Sequence, residues 1–231
     1  MRFTTYSKSK ILISKMRLFF LFDMDGTIVD NMDYHLIAWR EFLKLHGVEM
    51  SDEELHYKMR GTIEEGVRRN LGEHLNDEEV AALGFQKEQT YRDLYAPHLC
   101  LIDGLEKFLQ TVKKEGIKIA LVTAANHHNV DFTLDGLNIR HYFDTIVTGD
   151  DVKNGKPDPE GFLIAAERFG AKPSECIVFE DSIHGVRAAD AAEMRTILIG
   201  DLVKNEQMEG FNFLLKKIYD YNNIKTSDFI A

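Results

Sequence analysis

The sequence of 231 residues predicts an α/β fold, a doubly wound parallel sheet with a helical cap domain inserted after the first strand. Three observations lead there. Short apolar runs alternate with helix-period segments after Pro97, a stretch of roughly 60 residues behind the first apolar run has helical periodicity only, and polar clusters follow directly on several strands.

Taken in order, residues 1–15 hold Arg2, Lys8, Lys10 and Lys15 and no acid, and read as a disordered or mis-started extension before Met16. The run Leu18-Phe19-Phe20-Leu21-Phe22 reads as a buried strand and is too short for a membrane span or a signal segment. Residues 31–95 form the expected cap. Its helices should break at Gly47, Gly61, Gly72 and Gly84, and Ser51-Asp52-Glu53-Glu54 has the form of a helix start, with Ser51 capping and Glu54 answering it. Beyond the cap, helices are expected near residues 104–115, 129–137, 159–169 and 183–192, with strands at 117–122, 145–148, 177–179 and 196–199. Such alternation needs right-handed crossovers between parallel strands, hence a Rossmann-like core from residues 16–30 and 96–231. The tail after Gly200 shows no clear pattern.

Composition narrows the function. With 28 Lys+Arg against 38 Asp+Glu the formal net charge is −10, which argues against nucleic-acid or anionic-membrane binding, because both require clustered cations. Small phosphorylated ligands need only a few local cations and remain open. Cys100 and Cys176 form no CxxC and read as small core residues in a reducing compartment. A cytoplasmic protein, monomeric or weakly dimeric, is expected.

In an open parallel sheet, sites lie at the carboxyl ends of the strands. Strand one ends in Phe22-Asp23-Met24-Asp25-Gly26-Thr27, strand two in Val122-Thr123-Ala124-Ala125-Asn126, and strand four in Phe179-Glu180-Asp181-Ser182. Asn154-Gly155-Lys156-Pro157-Asp158-Pro159 precedes the helix before strand four. Asp23, Glu180 and Asp181 offer hard oxygen ligands suited to Mg²⁺, and need a cation or a raised pKa to sit together. Lys156 and the Thr123 hydroxyl are candidates to hold phosphoryl oxygens, and Gly26 lets the chain bend towards the same anion. Asp150 and Asp151 read as a solvated loop, and His127-His128 as a polar loop.

These four clusters, over about residues 17–200, resemble the motifs of the haloacid dehalogenase superfamily, and a cap placed directly after the first motif resembles its β-phosphoglucomutase-like branch. The resemblance implies that Asp23 is a nucleophile forming an aspartyl phosphate and that Asp25 is the general acid and base. It also implies that Mg²⁺ is held by Asp23, the backbone carbonyl of Asp25, and Asp181, with Glu180 a ligand or a support. Thr123 and Lys156 would bind the transferring group. His35, in Asp33-Tyr34-His35, matches a histidine that helps position Asp25 and a sugar, and Lys87 matches a cap lysine that meets it. Trp39, Arg60, Ala124 and Asn126 complete the expected substrate-binding set.

A mutase must also hold a second phosphate, yet in Arg60-Gly61-Thr62-Ile63-Glu64 the acid Glu64 stands where mutases of this branch carry arginine. Arg60, Arg68 or Arg69 would have to compensate. Leu101-Ile102-Asp103-Gly104 also departs from the usual Pro-Gly at the cap's return. The reading is therefore a Mg²⁺-dependent phosphatase of a small phosphorylated metabolite, most naturally a sugar phosphate. Its alternatives are β-phosphoglucomutase, an inorganic pyrophosphatase, or a non-catalytic phosphate-binding or regulatory module.

Overall fold

A computed structural model describes residues 17–58 and 62–229, so the expectations for residues 1–16, Arg60 and Gly61 lie outside the described residues. Its strands are β1 (Phe19–Phe22), β2 (Lys118–Val122), β3 (Thr145–Val147), β4 (Cys176–Glu180), β5 (Arg195–Ile199) and β6 (Leu214–Ile218). They form one parallel sheet in the order β3-β2-β1-β4-β5-β6.

Alternate side chains leave a strand on opposite faces, and here both faces are buried. Phe20, Phe22, Ile119, Leu121, Ile177 and Phe179 pack on the side of α5 (Leu105–Lys114) and α6 (His127–Gly136). Phe19, Leu21, Ala120, Val122 and Val178 pack on the side of α7 (Glu160–Phe169) and α8 (Ile183–Ala191). Burial on both faces is why these strands read as unbroken apolar runs rather than as alternation. Phe22 and Phe179 stack with ring centroids 4.2 Å apart, joining the two central strands below the site.

The strand order reverses direction between β1 and β4, so their carboxyl ends bound the crevice at the switch point. The Asp23 N–H donates to the Phe179 carbonyl at 2.9 Å, which extends the pairing by one residue and fixes the start of the polar loop.

The cap comprises α1 (Met32–Leu45), α2 (Asp52–Lys58), α3 (Ile63–Leu71) and α4 (Asp77–Tyr95) around Trp39, Phe42, Leu43, Leu55, Val67 and Val80. Ser51 and Glu54 exchange the expected capping bonds at 3.3 and 3.2 Å. Gly84, expected to break a helix, lies inside α4 instead. A Cβ there would stand 3.3 Å from Ile63 Cγ1, so its place is to let α3 approach, while the surrounding alanines and long side chains sustain the helix. Gly66 is tighter: a Cβ would lie 2.8 Å from the indole of Trp39, which is itself enclosed. Gly66→Ala should therefore destabilise the cap by about 1–3 kcal/mol through overpacking, seen as a lower thermal midpoint; an unchanged midpoint would show that the indole can yield.

Further expectations are corrected. Cys176 is buried, but Cys100 is exposed rather than part of the core, because it sits in the chain returning from the cap. His127 and His128 open α6 instead of lying in a loop, since Asn126 Oδ1 accepts from the Asn129 N–H at 3.1 Å and caps the helix. Asp150 and Asp151 are exposed, as the solvated-loop reading expects, and they also hold their turn: Asp150 accepts from the His127 N–H at 3.0 Å and Asp151 from the Thr148 N–H at 2.8 Å. The tail supplies β6, whose Lys216 and Lys217 pair outward with Asp228 and Asp201 in the manner of a charged, protected edge. It then returns Tyr221 and Phe229 to the core, and the Tyr221 hydroxyl donates to the Thr27 carbonyl at 3.0 Å. Among the described residues no helix is long and apolar enough to cross a membrane.

Candidate active site

Lys156 joins three strand ends. Its Nζ donates to Asp23 Oδ1 at 2.5 Å, to Glu180 Oε1 at 2.5 Å and to the Val122 carbonyl at 3.2 Å, which places all three ammonium protons. The other oxygen of Glu180 accepts from the Ser182 N–H at 2.8 Å and the Ser182 hydroxyl at 3.0 Å. Glu180 is thus occupied on both oxygens and acts here as the support of Lys156. Asp181, by contrast, receives no hydrogen bond among the described residues although it is only 5% exposed.

Two glycines make this crowding possible. Gly26 has φ +71°, and a Cβ there would lie 2.1 Å from Asp181 Oδ2, so both backbone and space require glycine. At Gly185, on the first turn of α8, a Cβ would fall 1.8 Å from the Glu180 carboxyl carbon. Oxygen atoms of Asp23, Glu180 and Asp181 lie within 4.8 Å of one another. The set is all-oxygen, brings three carboxylates together against the single ammonium of Lys156, and fits a hard divalent cation such as Mg²⁺. The side chain of Asp25 stands outside this group and turns towards the cap.

The electrostatics are dominated by burial and by the crowding of carboxylates. Burial pushes the Asp23 carboxyl up to about 8 even against the pull of Lys156, with Glu180 and Asp25 adding to the rise. Burial, Glu180 and Asp23 likewise raise Asp181 well above the usual carboxylate range. Burial opposes the charge on Lys156, but Asp23 and Glu180 outweigh it and hold the ammonium above its ordinary value. Asp25 goes the other way: burial pushes it up, yet His35, Asn31 and Lys87 together leave it below its ordinary value.

A pH dependence follows. The folded state retains a proton on Asp23 in the window from about pH 4 to 8, where the unfolded chain does not, so apoprotein stability should fall as pH rises through it, by at most about 1.4 kcal/mol per pH unit per group. Saturating Mg²⁺ favours the ionised carboxylates and should flatten that decline. Thermal unfolding at pH 6 and pH 8 with and without Mg²⁺ measures both; a gain from Mg²⁺ no larger at pH 8 than at pH 6 would contradict the assignment.

Asp25 Oδ1 accepts from Asn31 Nδ2 at 2.6 Å and lies 3.8 Å from His35 Nε2. The same Asn31 amide donates to the Tyr91 hydroxyl at 2.6 Å. His35 stacks on Tyr91 with centroids 3.8 Å apart, and its Nδ1 is 3.2 Å from Lys87 Nζ. The Lys87 ammonium stands 5.3 Å from the centre of the Trp39 ring, so Trp39, 3% exposed in the cap core, reaches the site through Lys87.

Thr123 is buried at the end of β2, and its Oγ1 accepts from the Ala125 N–H at 3.0 Å. Ala124 is exposed beside it, while the side chain of Asn126 is committed to capping α6. Sequence reasoning did not assign roles to Asn31, Tyr91, Ser182 or Gly185. The signals were present: Tyr91 follows Lys87 by one helical turn, and Gly185 falls three residues after the capping Ser182. On the Asp181 side, a cleft of about 680 Å³ opens between the cap's hinge and the loops after β5 and β6. Asp30, Asp33, Asp103, Asp201 and Asp220 line it together with Lys204, and Asp201 is paired with Lys217.

A parallel sheet with a helical cap over acid-rich strand ends at its switch point defines a capped, Rossmann-like α/β class. Within that class the chain belongs to the haloacid dehalogenase-like hydrolase family, whose sequence pattern matches residues 20–199. It is 35% identical over 183 residues to the fructose-1-phosphate phosphatase of Escherichia coli, covering 77% of this chain and 93% of that protein. A phosphorylated carbohydrates phosphatase of Thermotoga maritima is 34% identical over 179 residues, covering 77% and 82% of the two chains. Among solved structures, β-phosphoglucomutase from Clostridium difficile superposes with a TM-score of 0.78 at 28% identity, over 92% of this chain and 95% of that one.

Proposed function

We propose that the chain is a Mg²⁺-dependent phosphatase of a small phosphorylated metabolite, in particular a sugar phosphate, working through an aspartyl phosphate on Asp23. The observation that carries this is the pairing of two aspartates at one strand end with different surroundings. Asp23 lies against Lys156 and the cation-ready Asp181, and Asp25 lies against Asn31 and His35. A nucleophile and an acid–base group need separate environments.

In the first half-reaction an Asp23 oxygen bonds to phosphorus as the ester P–O bond breaks, and Asp25 gives its proton to the departing oxygen. In the second, Asp25 takes a proton from water, the water oxygen bonds to phosphorus, and the bond from Asp23 breaks to release inorganic phosphate. Both aspartates return to their starting state. In this reading Lys156 and the Thr123 hydroxyl offset the equatorial charge of the transferring group. Asp23, Asp181 and the Asp25 carbonyl would hold a Mg²⁺, which would supply charge neutralisation that favours ionised Asp23. Asp25, held below its ordinary value by His35, Asn31 and Lys87 against the effect of burial, gains basicity when the phosphoryl charge arrives beside it, and so can carry the proton it must donate.

The cap favours hydrolysis over mutase chemistry. Arg68, one candidate for holding a second phosphate, is bonded to the Leu75 carbonyl and to Asp77, and Glu64 lies exposed on the first turn of α3. The names of the two phosphatase relatives agree with this reading. The β-phosphoglucomutase neighbour keeps the mutase as the second reading.

A panel of sugar phosphates, other phosphate monoesters and pyrophosphate, assayed with Mg²⁺ for released phosphate, decides between them. Release from sugar phosphates is expected, and no release from any member would overturn the hydrolase. Conversion of β-glucose 1-phosphate to glucose 6-phosphate under a trace of bisphosphate primer would establish the mutase instead.

A further inference from the structure

Helix α4 of the cap meets helix α6 of the core through a buried polar chain that leads to Asp25. Asn129, 3% exposed on α6, donates from Nδ2 to Glu88 Oε2 at 2.6 Å and accepts at Oδ1 from Arg92 Nη1 at 2.6 Å. Glu88 Oε1 accepts from Lys87 Nζ at 2.8 Å, Lys87 Nζ lies 3.2 Å from His35 Nδ1, and His35 Nε2 lies 3.8 Å from Asp25 Oδ1. Lys87, Glu88 and Arg92 are all buried.

Adhesion alone does not call for this arrangement. Tyr91 and Tyr95 already pack on Phe132, and Phe85 on His128, across the same pair of helices. Burying three charged side chains there is unfavourable unless every polar atom is met, and apolar replacements are often at least as stable. What the polar chain adds is direction. Glu88 holds the Lys87 ammonium at one point, Asn129 holds Glu88 from the core side, and the rotamers of Lys87 and His35 are thereby set relative to Asp25.

We propose that Asn129 and Glu88 are positioning residues: the core helix α6, through Asn129, Glu88, Lys87 and His35, orients Asp25 for proton delivery to the leaving oxygen. The proposal rests on the phosphatase reading above. Neither residue touches the reacting atoms, so their loss should mark the step that needs the proton. An alkyl or sugar leaving group requires protonation as it departs, whereas p-nitrophenolate is stable without it.

The test compares kcat for fructose 1-phosphate and for p-nitrophenyl phosphate in the Mg²⁺-loaded full-length protein. Asn129→Ala should lower the sugar-phosphate rate at least about tenfold more than the aryl-phosphate rate. Glu88→Gln, which keeps the shape but not the charge that holds Lys87, should do the same and serves if Asn129→Ala does not fold. The double variant should be little worse than the poorer single one, because both act through one chain. Equal losses on the two esters, or losses that multiply in the double variant, would show a merely structural contact and overturn the proposal. A wild-type protein inactive on both esters and on the panel would overturn the phosphatase reading, and this role with it.

Discussion

Asp23→Asn should reduce phosphate release by at least about 10⁴-fold while leaving the protein folded and no less stable near neutral pH. The loss follows from chemistry: an amide oxygen cannot form the aspartyl phosphate, and two of the neighbouring carboxylates are held by other partners. Glu180 is committed to Lys156 and Ser182, and Asp25 to Asn31. Preserved stability follows from electrostatics. Burial already pushes Asp23 up to about 8 in the metal-free protein, so a neutral side chain of the same shape replaces a group that is largely protonated at pH 7. Kinetics and thermal unfolding measured on one preparation check both parts. Ordinary turnover would remove the covalent mechanism; lost activity with a collapsed midpoint would show that Asp23 is needed by the fold.

Lys156→Met should behave differently, losing both activity and stability. Removing a charge that offsets the transferring phosphoryl group is expected to cost about 10²–10³-fold in kcat. In the absence of metal it also leaves the buried Glu180 without its cation, and breaking such a buried pair costs about 3–5 kcal/mol. Mg²⁺ should recover part of the stability, since it replaces the missing positive charge, but not the rate. Thermal unfolding of wild type and variant, with and without Mg²⁺, reads the first effect, and phosphate release the second. If the midpoint of the metal-free variant matches wild type, Lys156 is not the counter-charge that holds the strand ends together.

How far the sequence conveyed this architecture depended on whether local pattern and tertiary demand agreed. β1, β2, β4 and β5 are buried on both faces, so they stand out as apolar runs, and the polar residues that follow them mark the switch point. β6 is a charged edge strand and presents no such run. Gly84 looked like a helix end because glycine is a poor helix former, but its reason lies in Ile63 across the cap. In the candidate site, the convergence of Asp23, Asp25 and Asp181 after their strands with Lys156 from the loop before α7 was legible, because polar clusters directly after buried apolar strands mark the sheet's carboxyl edge. Glu88 and Asn129 were not, since a charge on a helix and an asparagine in a first turn are ordinary until two helices bring these residues, 41 apart in sequence, within 2.6 Å.

The most direct test of the central claim is to trap the covalent intermediate. Wild-type protein turning over a sugar phosphate with Mg²⁺ is quenched rapidly in acid, and its peptides are weighed. A phosphoryl group on the peptide carrying Asp23, absent from Asp23→Asn, is the predicted result. Phosphate release accompanied by a first-turnover burst, with that peptide unmodified or with the phosphoryl group on another residue, would contradict it.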